Sequence, residues 1–106
     1  MNAAITPIVA ELRQRLEALY GPRLVRMVLY GSQARGDAEP GSDIDVLVVL
    51  RGLVRPGEEI ERTSDIRLDI SLEHNTVVSC AYVSNNRYRT ERSPFLLNAR
   101  REGVVV

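Results

Sequence analysis

Leu24-Val25-Arg26-Met27-Val28-Leu29-Tyr30-Gly31-Ser32-Gln33-Ala34-Arg35-Gly36-Asp37, then Pro40-Gly41-Ser42-Asp43-Ile44-Asp45-Val46-Leu47-Val48-Val49-Leu50, is the stretch that decides the fold. Leu24 to Tyr30 is apolar and β-compatible, and it stops at Gly31-Ser32 as a strand feeding a tight loop does. Gln33-Ala34-Arg35 can begin a short helix. Pro40-Gly41-Ser42 is a turn signal. Ile44 to Leu50 is β-branched and apolar on both faces, the pattern of a strand buried in the middle of a sheet.

Toward the N-terminus, Thr6-Pro7 offers a capping hydroxyl before a proline at the first helical position, and Ile8, Val9, Leu12, Leu16 and Leu19 recur at helical spacing up to Gly21-Pro22. Toward the C-terminus, 51–57 reads as a loop, and a polar helix follows from about Glu58 to Glu73 with Ile60, Ile66 and Ile70 inward. Thr76 to Val83 reads as a third strand. Ser84 or Asn85 can cap a short Arg-rich turn, and Ser93-Pro94 opens a last helix through Phe95, Leu96 and Ala99 that Gly103 stops. Val104 to Val106 is too short to assign. The order helix, strand, short helix, strand, helix, strand, helix predicts one α/β (α+β) domain over 1–106, a small mixed sheet flanked by helices.

Of the 106 residues 44% are apolar, which suits a globular domain with a modest core. Fourteen basic residues, all Arg, balance fourteen acidic ones. With no lysine, Schiff-base and P-loop chemistry are excluded. Zero net charge supplies no field to gather nucleic acid or an anionic membrane. The run Arg87, Arg89, Arg92, Arg100 and Arg101, with Tyr88 interleaved, reads as solvated helix faces balanced by Glu91 and Glu102, so nucleic acid is not the expected partner. Cys80 lies in an apolar run and reads as a core thiol. The longest aliphatic run, Val46 to Leu50, is too short to span a membrane, and no basic segment followed by an apolar one opens the chain; a cytoplasmic location is the expectation.

Asp43 and Asp45, two apart on a strand, share a face about 6.5 Å apart and repel each other. Such a pair is tolerated when both groups are solvated at a strand end or when a cation bridges them. Hard oxygen ligands of this kind suit Mg²⁺ or Mn²⁺, which completes its shell with water and substrate phosphate oxygens. Two such ions about 4 Å apart can clamp an in-line phosphoryl displacement. Gly31 lets backbone approach a ligand closely, the start of a short helix aims free N–H groups at an anion, and Ser32 adds a hydroxyl. Arg35 can neutralise a phosphate or form a surface ion pair.

Tyr30-Gly31-Ser32-Gln33-Ala34-Arg35-Gly36-Asp37 and Gly41-Ser42-Asp43-Ile44-Asp45-Val46 together resemble the signature of the DNA polymerase β-like nucleotidyltransferase superfamily, and most of all its minimal subfamily, often encoded beside a HEPN-domain toxin as the antitoxin. The resemblance implies a polymerase β palm-like fold, a triphosphate of ATP or another NTP held by Gly31 and Ser32, and catalytic metal held by Asp43 and Asp45. It also implies transfer of AMP or another nucleotide to a hydroxyl acceptor, which in the antitoxin branch is a tyrosine of the partner toxin. Catalytic members usually add a third carboxylate on the strand after the long helix. Here the expected position falls near Asn75, which offers a neutral oxygen to a metal and cannot act as a base; Asp69 and Glu73 are the nearest acids. Three routes stay open: Glu73 substitutes through a different local register, water or the acceptor side chain manages the proton, or the protein binds nucleotide with little turnover; the alternative function is a noncatalytic antitoxin that masks its partner by contact, its nucleotide site vestigial. His74 at the same junction is a further candidate base, although a lone histidine there is more often structural.

Overall fold

The computed structural model describes residues 2–106. Its elements are α1 (Thr6–Tyr20), a 3-10 turn (Gly21–Arg23), β1 (Leu24–Tyr30), α2 (Gly31–Arg35), β2 (Ile44–Leu50), α3 (Pro56–Arg62), α4 (Ser64–His74), β3 (Val78–Ser84), α5 (Asn85–Thr90), α6 (Pro94–Glu102) and β4 (Val104–Val105). The strands form one mixed sheet in the order β3-β2-β1-β4. β1 runs antiparallel to β2 and to β4, whereas β2 and β3 run parallel through a helical crossover. Both strands that bracket the decisive stretch have the limits that the sequence predicts.

Helices cover both faces, so β2 is buried on both: Val46, Leu47, Val48, Val49 and Leu50 have no exposed surface. Ile44, Val46, Val48 and Leu50 pack with Met27 and Leu29 under Leu12 and Leu16 of α1 and Ile70 of α4. The alternate residues Leu47 and Val49 pack with Val28 and Val83 under Tyr88 of α5 and Leu96 and Ala99 of α6. Asp45 is the single interruption of this burial along β2. No helix among the described residues is long and apolar enough to cross a membrane.

Five local expectations change. The N-cap of α1 is Ile5, without a side-chain hydrogen bond, and the Thr6 hydroxyl donates instead to the Asn2 carbonyl. Within the same helix Leu19 is exposed and Tyr20 takes the buried place. The single helix expected over 58–73 is two helices broken at Thr63, whose hydroxyl bonds the Glu59 carbonyl at 2.8 Å and the Tyr82 hydroxyl. Beside that break Glu59 is buried and Ile60 exposed, the reverse of the apolar pattern. Glu59 can be buried because its carboxylate accepts from the Tyr20 hydroxyl at 2.8 Å, Arg23 at 3.1 Å and Arg62 at 3.0 Å.

β3 starts at Val78 rather than Thr76, since Asn75 closes α4 in the left-handed region (φ 50°) and both its N–H and that of Thr76 go to the Ser71 carbonyl. Val104 and Val105 form an edge strand on β1. Gly103 makes that return possible, because a side chain there would run into the Ala99 carbonyl and Val28. The caps at Ser84 and Ser93 are as the sequence predicts, accepting from the Arg87 and Leu96 N–H groups.

Candidate functional site

The antiparallel register sets Tyr30, the last residue of β1, opposite Asp45. α2 begins one residue later, so its first turn lies against the start of β2. Gly31 occupies φ +72°, and a Cβ built on it would stand 2.6 Å from Asp45 Oδ2. Both the backbone angle and the space therefore demand glycine. Asp43 is exposed and Asp45 half-buried. Among the described residues no arginine or histidine lies within ion-pair distance of either carboxylate. Burial, and then the charge of Asp43, hold the Asp45 carboxyl above the usual aspartate range. Burial first and the Asp45 charge second push the Tyr30 phenol up as well.

Gln33, which the sequence reading passed over, is buried and donates to the Ser42 carbonyl at 3.4 Å, tying α2 to the turn before Asp43. A buried amide one position beyond Gly-Ser is the signal that could have found it. The Ser32 carbonyl accepts from the Gly36 and Asp37 N–H groups and closes α2. Arg35 is exposed and pairs with Asp37 at 3.2 Å. Gly31 and Arg35 also line one wall of a 280 Å³ groove whose other wall is α6.

Asp45 alternates with Ile44 and Val46, so its side chain belongs to the sheet face under α5 and α6. Glu73 and His74 lie at the end of α4, across the sheet from that face. His74 Nε2 stands 3.6 Å from Glu11 of α1 and 4.0 Å from Glu73. Asp69, also on α4, pairs with Arg15 of α1. Asn75, the α4 cap, shares a 430 Å³ depression with Ile5, Ile8, Gln33 and Ser42. The residue in register beside Asp45 on β3, and on its face, is Ser79. Thus Gly31, Ser32, Asp43 and Asp45 come together, with Arg35 at the rim, while Glu73 and His74 belong to the α1–α4 seam.

The sequence profile described as the nucleotidyltransferase domain matches residues 9–100. Two proteins of Methanocaldococcus jannaschii, each named as a candidate protein adenylyltransferase, are similar to this chain. The first is 39% identical over 66 residues, 62% of this chain but only 43% of that protein's length. The second is 29% identical over 75 residues, 71% of this chain and 75% of that protein. Among solved structures, a toxin-antitoxin crystallised with AMP-PNP aligns at a TM-score of 0.62 over 89% of this chain and 68% of its own, with 16% identity, a likeness of fold. With a profile match over most of its length and a four-stranded mixed sheet of the matching architecture, the chain belongs to the nucleotidyltransferase domain family.

Proposed function

We propose that this chain is a metal-dependent nucleotidyltransferase that moves a nucleoside monophosphate, AMP in the first place, from an NTP to a hydroxyl acceptor. The observation that carries the reading is the contact between Gly31 and Asp45: a left-handed glycine set against a half-buried carboxylate, beside a second carboxylate, with no arginine or histidine among the described residues within ion-pair distance of either. A pair of anionic oxygens with no ion-pair partner among the described residues is a donor set that fits Mg²⁺ or Mn²⁺. Asp43 and Asp45 would hold the metal. When bound, a divalent ion there offsets charge on the α-phosphate and on the departing pyrophosphate.

In this proposal the Gly31 and Ser32 N–H groups and the Ser32 hydroxyl orient the triphosphate, and Arg35 leaves Asp37 to meet its terminal charge. The acceptor oxygen forms a bond to the α-phosphorus while the bond to the bridging oxygen breaks, and its electron pair leaves with pyrophosphate. Ser79, the strand neighbour of Asp45, cannot take up the acceptor's proton at neutral pH, so that proton passes to water or to a group brought by the acceptor. Names of the similar proteins, candidate protein adenylyltransferases and a toxin-antitoxin, support a protein hydroxyl as acceptor, such as a tyrosine of a HEPN-domain partner. The hydroxyl of Ser79 where a third carboxylate would serve as base favours one second reading, a noncatalytic antitoxin that masks its partner by contact.

Incubation with Mg²⁺, ATP and a HEPN-domain partner, followed by intact mass, tests the proposal. Wild type should add AMP to the partner, and Asp43→Asn with Asp45→Asn should abolish the addition. Undiminished transfer by the double variant would remove both residues from the metal site. A wild type that binds the partner and transfers no nucleotide would establish the noncatalytic reading.

A further inference from the structure

The groove between α2 and α6 is continuous with the site, since Gly31 both forms part of its wall and abuts Asp45. Its 280 Å³ lies just under the range of roughly 300–1,000 Å³ typical of ligand pockets, room for one ring system rather than a whole nucleotide. Phe95, Asn98, Ala99 and Glu102 stand at positions i, i+3, i+4 and i+7 of α6, so one stripe of the helix supplies that entire wall. Phe95 meets Tyr30 edge to face, with centroids 5.3 Å apart, and keeps 45% of its surface exposed. Ala99 leaves a shallow floor.

The polar groups of this wall do not suit phosphate. Glu102 is an anion that enters no ion pair among the described residues, and it would repel a phosphate seated beside it. An aromatic surface, a small floor, an amide and a carboxylate instead suit a flat neutral ring that carries an amine on its edge. Carboxylates accept only, so Glu102 selects a donor, and an amide can pair with the donor and acceptor edge of adenine. We propose that this groove seats the adenine of the NTP, with Asn98 and Glu102 reading its edge and Phe95 lying against the ring. The proposal rests on the nucleotide-binding reading above and adds to it the place where the base sits and the side chains that select it.

Calorimetry with Mg²⁺ and three probes, ATP, ITP and tripolyphosphate, tests it. ITP replaces the exocyclic amine by a carbonyl oxygen that the Glu102 carboxylate repels. Wild type should bind ATP about tenfold more tightly than ITP. Asn98→Ala and Glu102→Gln, at exposed positions of α6, should each shrink that ratio toward one and leave tripolyphosphate affinity unchanged. Equal wild-type affinity for ATP and ITP, or a ratio that neither variant alters, would overturn the adenine subsite while metal-dependent binding of tripolyphosphate kept the nucleotide site intact. Tripolyphosphate weakened as much as ATP would put the phosphate tail in the groove and overturn the inference equally. A wild type that binds neither ATP nor tripolyphosphate would overturn the nucleotide site and the base subsite with it.

Discussion

At Gly31 two demands coincide that a sequence shows only as one glycine. Its φ of +72° is costly for any other residue, and the space a Cβ would fill is held by the Asp45 carboxylate. Replacing it should therefore act twice, on the backbone and on the position of a proposed metal ligand. Gly31→Ala is expected to lower stability by about 1–2 kcal/mol through the left-handed backbone and to weaken Mg·ATP binding further by displacing Asp45. Ser32→Ala removes at most one hydrogen bond, worth about 0.5–1.5 kcal/mol. Urea titration and calorimetry on the two variants check the ranking; equal, small losses of ATP affinity would mean that the triphosphate does not pass over this loop. The glycine and both aspartates were legible in the sequence because they are local, each next to a strand end that glycine or a turn marks. Gln33 was not, because its importance lies in reaching Ser42 across the turn.

Among the elements, β1 and β2 were readable to the residue, whereas the helices between β2 and β3 were not. Thr63 breaks them through a hydroxyl bond to Tyr82 of β3, and Glu59 is buried through donors on α1, the following turn and α3. Tyr82, Tyr20 and Arg23 all lie outside the window that helical periodicity samples. The start of β3 shifted for a related reason, the left-handed cap at Asn75. Register sets Ser79, not Asn75, beside Asp45. If the missing acid limits turnover, Ser79→Asp should raise the rate of AMP transfer, general-base assistance being worth ~10²–10⁴-fold, while Asn75→Asp should change it little. Initial rates of transfer to the partner, compared at saturating ATP, decide the matter. An increase at position 75 with none at 79 would show that the helix cap, rather than the strand, faces the reacting atoms.

For the molecule as a whole, the two-sided burial of β2 ties the sheet to both helical layers, and Cys80, half-buried on the edge strand β3, reports on the packing between β3 and the α1–α4 layer. It is the chain's only cysteine, in register with Val46 on the face beneath α1 and α4. Burial pushes its thiol up to about 11, against lesser opposing effects of Arg67 and a Tyr82 hydrogen bond. Since the thiolate is the nucleophile, only about one molecule in a thousand is reactive at pH 8 in the folded state, far fewer than for a free thiol. An acid whose pKa is raised by folding contributes stability that is whole below the unfolded thiol's pKa and is lost as pH climbs from there toward 11. Alkylation of the native protein at pH 8 should thus be at least about a hundredfold slower than in urea. Unfolding midpoints should decline between pH 9 and 11 in wild type more than in Cys80→Ala. Saturating Mg·ATP, if it binds the folded form alone, should slow the labelling further in proportion to the stability it adds. Labelling of the native chain as fast as that of the urea-unfolded one would show that the half-buried thiol is not held back by its surroundings, and the high pKa and the pH dependence drawn from it would both fall.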